Sequence, residues 1–273
     1  MMTQPRLPVF IEADKLAKSL DHVPLQIIDM SALSYYDESH IPGAIHLEYS
    51  EIITQQPPIS GGLPSIEQLN RLFSTIGLRN DTHIIAYDAE GSGKSARLFW
   101  TLAVCGFDNV SILNGGRHAW LAGGYPLNSE AIHWPESHFQ LTVNPEAIAD
   151  KAYILSHLND PETVILDARS PAEYNGIDLR AARGGHIPGA RNLDWTLTFD
   201  LQDNLRLKPI VEIEALLAER HINREQEIIV HCQSHQRSAL IYAILKFLGY
   251  PKVRGYHGSW SEWGNCADTP IEV

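Results

Sequence analysis

Residues 227–253 read EIIVHCQSHQRSALIYAILKFLGYPKV. An apolar run of strand length stops at Cys232, a polar stretch closes on Arg237, and a segment of helical apolar spacing starts near Ser238. Residues 83–110, HIIAYDAEGSGKSARLFWTLAVCGFDNV, follow the same plan. With Ser95 aligned on Ser238, Gly106 falls on Gly249, Val110 on Val253 and Trp120 on Trp263. The pentapeptide HIPGA also occurs twice, at 40–44 and 186–190, each time after an apolar run ending in aspartate, Asp29 and Asp167. An ordered series of matches of this kind marks a duplicated domain.

Each half therefore predicts strand, loop, HIPGA strand, helix, strand, loop, helix and a last short strand. Short apolar runs alternating with helical patterns predict an α/β fold of two similar domains, each a mainly parallel sheet flanked by helices. Residues 65–78, SIEQLNRLFSTIGL, and 211–222, VEIEALLAERHI, carry the helical spacing ahead of the two central strands. Residues 125–145 are rich in Pro, Ser and His and show no period. The expected division is a domain over 1–127, a linker over 128–142 and a domain over 143–273.

The chain has 273 residues, 44% of them hydrophobic, enough for a core in each of two domains. A net charge of −12 argues against nucleic acid and anionic lipid as partners, and an anion site would need its own local positive field. The three cysteines are too few and too scattered for a disulfide framework or a zinc cluster, and the thirteen histidines show no ligand-like spacing. No metal and no cofactor is expected. The N-terminal stretch lacks an apolar core of signal-peptide length, and no apolar run reaches the roughly 18 residues a membrane helix needs. The expected location is cytoplasmic, which suits free thiols.

Cys232 is the candidate reactive group. In an open α/β sheet, ligands bind at the carboxyl ends of the strands. A tight loop entering a helix N-terminus aims backbone N–H groups inward, and the helix dipole adds partial positive charge. That setting lowers a cysteine pKa from about 8.5 into the range ~3.5 to 7.5. Arg237 at the rim supplies a fork of donors for an anion. The first copy is an internal control. Its loop is one residue longer and places Asp88 about where Cys232 stands, with Glu90 nearby. A carboxylate forms no sulfur adduct and repels anions, so the first domain is expected to be catalytically inactive and structural. The segment from Asp167 to His186 also holds eight residues more than that from Asp29 to His40, and the addition brings Arg180 and Arg183, where the first copy has Asp37 and Glu38. Positive charge added in the cysteine-bearing copy favours substrate binding.

These residues resemble the rhodanese family, in its two-domain sulfurtransferase form. The resemblance spans nearly the whole chain and rests on DARSPAEYNG at 167–176, both HIPGA signatures, the cysteine loop, and the tryptophan-bearing ends NGGRHAW and GYHGSWSEW. It implies paired α/β domains with one catalytic loop, in the second, where the cysteine takes sulfane sulfur as a persulfide and hands it to a thiophile such as cyanide or a thiol. Cys232 would then attack a small anionic sulfur donor. Amides from Gln233 through Ser234, His235 and Gln236 to Ser238 would stabilise the terminal sulfur, and Arg237 and Arg183, helped by Arg180, would hold the sulfonate. His235 is read either as orienting substrate or as a solvated loop residue, and Trp195 either as core packing or as a cleft wall. The loop CQSHQRS has neither the basic residues typical of thiosulfate specialists nor the Gly-Ser-Gly pattern of 3-mercaptopyruvate users. It is similar to a bacterial thiosulfate-using variant, so thiosulfate is the expected donor and 3-mercaptopyruvate the alternative.

A cysteine phosphatase is the rival enzyme, but its loop places five residues between cysteine and arginine, and here there are four. A binding module with an incidental thiol is the rival of another class. Cys105, Trp260 and Trp263 are read as core, Cys266 as incidental, and His40 and His186 as turn residues bonding to backbone. Duplicated domains sharing a buried face are expected to work as a monomer.

Overall fold

The computed structural model describes residues 7–20 and 24–273. Part of the N-terminal stretch read above, residues 1–6, lies outside them. In chain order the elements are β1 (Phe10–Ile11), α1 (Ala13–Ser19), β2 (Leu25–Asp29), α2 (Leu33–Glu38), β3 (Ala44–His46), β4 (Thr54–Gln56), β5 (Ile59–Gly62), α3 (Ile66–Thr75), β6 (His83–Tyr87), α4 (Gly93–Val104), β7 (Val110–Leu113) and α5 (Gly116–Ala122). There follow β8 (Ile148–Ala149), α6 (Lys151–His157), β9 (Thr163–Asp167), α7 (Pro171–Tyr174), β10 (Arg191–Asn192), β11 (Phe199–Asp200), β12 (Arg206–Leu207), α8 (Ile210–Glu219), β13 (Glu227–His231), α9 (Arg237–Phe247), β14 (Val253–Tyr256) and α10 (Ser259–Trp263).

The chain folds as two compact units, each built on a five-stranded parallel sheet. The strand orders are β1-β7-β6-β2-β3 and β8-β14-β13-β9-β10. They correspond strand for strand, as the duplicated sequence requires. The units are not contiguous in sequence. The first holds the described residues up to Ile52, Ser65–Val143 and Leu201–Arg206; the second holds Ile53–Pro64, Asn144–Asp200 and Leu207–Val273.

Central strands β6 and β13 are apolar runs because a parallel sheet covered by helices buries both faces. Helices α4 and α9, which follow them, are buried almost all round. Each ends at a left-handed glycine, Gly106 and Gly249, whose following amides fold back onto the last turn. The HIPGA segments share one device in both units. His40 stacks on Tyr36 and His186 on Tyr174, with centroids 3.9 and 3.7 Å apart. Each Nδ1 donates to the carbonyl of the tyrosine it stacks on. Trp120 and Trp263 are fully buried and donate to equivalent proline carbonyls, Pro126 and Pro270, each at 2.8 Å. Trp260 and Cys105 are also core residues, each 1% exposed. Among the described residues no helix is long and apolar enough to cross a membrane.

Candidate active site

Strand β13 pairs with β9 and β14 in the middle of the second sheet, so its carboxyl end is fixed from both sides. Cys232 leaves that end. Residues Gln233–Gln236 turn, and α9 begins at Arg237. The turn closes in four residues because His235 takes a left-handed conformation, φ +58°, uncommon for a residue with a side chain.

Cys232 is 1% exposed, but polar groups surround its sulfur. Burial pushes the thiol pKa up. The Arg237 charge, the hydroxyl and amide of Ser238 and the amide of Ser234 outweigh it, and the net direction is down. The sulfur therefore ionises more readily than a free cysteine and sits among inward-facing donors. Cys105 is the contrast: burial without donors pushes it up to about 12. None of the three cysteines is disulfide-bonded.

Arg237 closes the loop through a two-pronged ion pair. Its Nη1 and Nη2 donate to Glu173 Oε2 and Oε1 at 2.6 and 2.8 Å. Glu173 also forms the capping box of α7 with Ser170. Burial raises the Glu173 pKa, but the Arg237 hydrogen bonds and charge, with Ser170, bring it down to about 2. Sequence reading missed Glu173. Its spacing to Ser170 announces a helix cap, while its partner Arg237 lies 64 residues away.

The remaining expected residues divide. His235 is buried rather than solvated, and its Nδ1 lies 2.8 Å from Ser238 Oγ. When that hydroxyl donates to the sulfur, Nδ1–H donates to the hydroxyl, and the hydrogen bonds run in one direction toward Cys232. Gln233 donates from Nε2 to the Arg180 carbonyl at 3.0 Å, and Gln236 precedes the first turn of α9 without capping it. Arg180 is exposed and paired with Asp178 at 2.9 Å, near enough to feel the charges of Glu173 and Arg237. Arg183 departs from expectation. Its guanidinium donates to the carbonyls of Trp263, Cys266 and Thr269 and so ties down the C-terminal tail rather than holding a sulfonate. Trp195 is half-buried, edge-on to Phe199 at 5.2 Å.

Beneath the loop lies a buried polar layer. Asp167 and Arg169 form a fully buried ion pair at 2.6 Å, and Arg169 stacks over Trp260 at 4.3 Å. His231 Nε2 is 3.6 Å from Asp167; burial lowers the His231 pKa and keeps the ring neutral. The carbonyls of Cys232 and Gln233 accept from the amides of Trp260 and Ser261, at 2.9 and 3.0 Å. Within each rigid peptide the N–H points opposite to the C=O. Holding the Gln233 carbonyl on α10 thus turns the Ser234 amide toward the sulfur.

The first unit shows the same cradle with a built-in occupant. Asp88 Oδ1 accepts from the amides of Glu90 and Ser92 at 2.8 and 2.9 Å. Asp88 Oδ2 accepts from the amides of Lys94 and Ser95 at 3.1 and 2.9 Å and from the Ser95 hydroxyl at 2.9 Å. Among the described residues no group of three or more His, Cys, Asp or Glu side chains could hold a metal ion.

The sequence matches the rhodanese-like domain twice, over residues 12–123 and 150–266. It is 42% identical over 267 residues to a thiosulfate sulfurtransferase of Azotobacter vinelandii and 40% identical over 267 residues to one of Pseudomonas aeruginosa, covering 98% of this chain and of each relative. The fold superposes on the crystal structure of a 3-mercaptopyruvate sulfotransferase from Escherichia coli with a TM-score of 0.82, at 30% identity, covering 93% of this chain and 99% of that one.

Proposed function

The chain belongs to the rhodanese family, and from that premise we propose that it moves sulfane sulfur from thiosulfate to a thiophilic acceptor through a persulfide on Cys232. The observation that carries the reading is a buried cysteine whose sulfur faces Arg237, the Ser238 hydroxyl and two amides, a setting that lowers its pKa. In the first step the Cys232 thiolate attacks the outer sulfur of thiosulfate. The S–S bond of the donor breaks, and sulfite leaves with the bonding electrons. In the second step an acceptor such as cyanide or a thiol attacks the terminal sulfur of the persulfide and restores the thiolate. Covalent capture splits one transfer into two easier ones. The amides of Ser234 and Ser238 meet the negative terminal sulfur, at no reorganisation cost in a preformed loop. Arg237, held flat by Glu173, keeps N–H groups for the sulfonate. Gln233, Ser234, His235 and Gln236 line the turn, and the exposed Arg180 replaces Arg183 as a second cation for the donor.

A four-residue gap between Cys232 and Arg237 favours a single sulfur over a tetrahedral phosphate. Asp88, in the equivalent cradle, leaves the first domain, residues 1–127, without a nucleophile and structural in role. The domain over 143–273 carries the reaction, and 128–142 connects the two domains while grouping with the first unit. The enzyme works as a monomer in the cytoplasm, where its thiol stays reduced.

Intact mass after incubation with thiosulfate tests the proposal. The expected result is a gain of one sulfur atom, reversed by cyanide and absent in Cys232→Ala; an unchanged wild-type mass overturns it. The likeness to the E. coli 3-mercaptopyruvate sulfotransferase favours a second donor. Steady-state comparison of the two donors decides, with thiosulfate expected to turn over faster.

A further inference from the structure

Residues Ile53–Pro64 come from the first half of the sequence but group with the second unit. There β4 and β5 form an antiparallel hairpin, with Thr54 opposite Gly62 and Gln56 opposite Ile59. The hairpin reaches the catalytic loop at two points. The Ser60 amide donates to Ser261 Oγ at 3.1 Å, and Ser261 is the residue whose own amide holds the Gln233 carbonyl. The Cα of Gly61 lies against the carbonyl of Ser234. A Cβ at position 61 would overlap that oxygen and stand 2.8 Å from both the carbonyl carbon and Cβ of Ser234. Gly61 is not among the positive-φ glycines, so space rather than backbone conformation demands glycine here.

We propose that Gly61 and the hairpin carrying it are positioning elements for the Cys232 loop. The loop carbonyls of Cys232, Gln233 and Ser234 are each met from outside, by Trp260, Ser261 and Gly61 respectively. Because N–H and C=O oppose one another within a peptide, the contact at the Ser234 carbonyl turns the His235 amide away from the hairpin, as the Ser261 bond turns the Ser234 amide toward the sulfur. A left-handed residue at 235 is strained and persists only where its surroundings over-determine it. The hairpin supplies that constraint. This inference rests on the sulfur-transfer reading of Cys232, but it concerns the ionisation of the thiol and can be measured without any sulfur donor.

The test is the pH dependence of iodoacetamide alkylation at Cys232, followed by peptide mass spectrometry in wild type, Gly61→Ala and Ser261→Ala. Displacing the loop peptides is expected to raise the Cys232 midpoint by about one pH unit in Gly61→Ala, which is about tenfold slower alkylation at any pH below both midpoints. Ser261→Ala removes the acceptor for Ser60 and keeps the amide on Gln233; a smaller shift in the same direction is expected. Cys105 labelling, a reporter of general loosening, should not change. An unshifted midpoint in both variants overturns the proposal, as does accelerated Cys105 labelling accompanying every Cys232 change. Should Gly61→Ala fail to fold, Ser261→Ala decides alone by the same criteria. If the midpoint shifts but wild type never gains sulfur from thiosulfate, the positioning role stands and the transfer reading falls.

Discussion

At Glu173 one carboxylate both closes the α7 capping box and receives the two terminal nitrogens of Arg237. Its pKa of about 2 in the fold lies below the ordinary value of about 4.3 for glutamate. A depressed folded pKa contributes stability that is fully present above the ordinary value and is lost as pH falls from about 4.3 through about 2. The upper bound is about 3 kcal/mol. Glu173→Gln should therefore flatten the acid limb of the stability curve between those values, measured by denaturant unfolding at stepped pH. It should also free the Arg237 fork from its fixed plane and lower kcat/KM for thiosulfate by at least about tenfold, because misplacing a binding group by an ångström is that costly. A variant that keeps wild-type kcat/KM would show that Arg237 needs no clamp. Arg183→Lys, by contrast, should loosen the tail with less effect on thiosulfate, since its acceptors are the carbonyls of Trp263, Cys266 and Thr269.

The two strand-loop-helix elements, β6 to α4 and β13 to α9, are the same device with different contents. In the first, Asp88 takes four amides and a hydroxyl, so the anion is part of the chain. In the second the amides face a sulfur that can gain and lose a partner atom. Asp88→Ala leaves those donors unmet inside a buried loop, at about 1–3 kcal/mol for each donor that water cannot reach. The expected loss is about 3 kcal/mol in urea unfolding, with the alkylation profile of Cys232 unmoved; a loss under about 1 kcal/mol would mean that water fills the cradle. This pairing of elements was legible in the sequence because buried parallel strands must be apolar and helix ends favour glycine, so both copies keep the same marks at the same spacing. The same marks placed Cys232 and Arg237 at the two ends of the second loop. Arg183 was misread because its acceptors are backbone carbonyls, which leave no trace in side-chain identity. The hairpin at 54–62 was missed because QQPPISGG shows no alternation and its neighbours in space, Ser234 and Ser261, are far away in sequence.

For the whole molecule, charge sets how the donor arrives. The chain carries a net −12, and thiosulfate is a dianion at neutral pH. Close to Cys232 the formal charges nearly cancel or run negative. Arg237 is paired with Glu173 and Arg180 with Asp178, while the thiolate adds a negative charge of its own. What holds the donor at contact is the set of amides and the N-terminus of α9, whose fields fade within about one helical turn, together with the N–H groups of Arg237 and Arg180, whose charges Glu173 and Asp178 offset at a distance. Such a site can hold an anion without drawing it from a distance. Long-range repulsion by the net charge is then the only electrostatic effect that salt can reach, because exposed charges are screened within about 30 Å at 0.01 M and about 8 Å at 0.15 M. Raising an inert monovalent salt across that range should therefore increase kcat/KM for thiosulfate a few-fold, opposite to the decline of an electrostatically steered enzyme. The same series with a neutral thiol acceptor, at saturating donor, should be flat. A falling kcat/KM for thiosulfate would place an unpaired cation at the entrance and would point to Arg180, released from Asp178, as the group that supplies it.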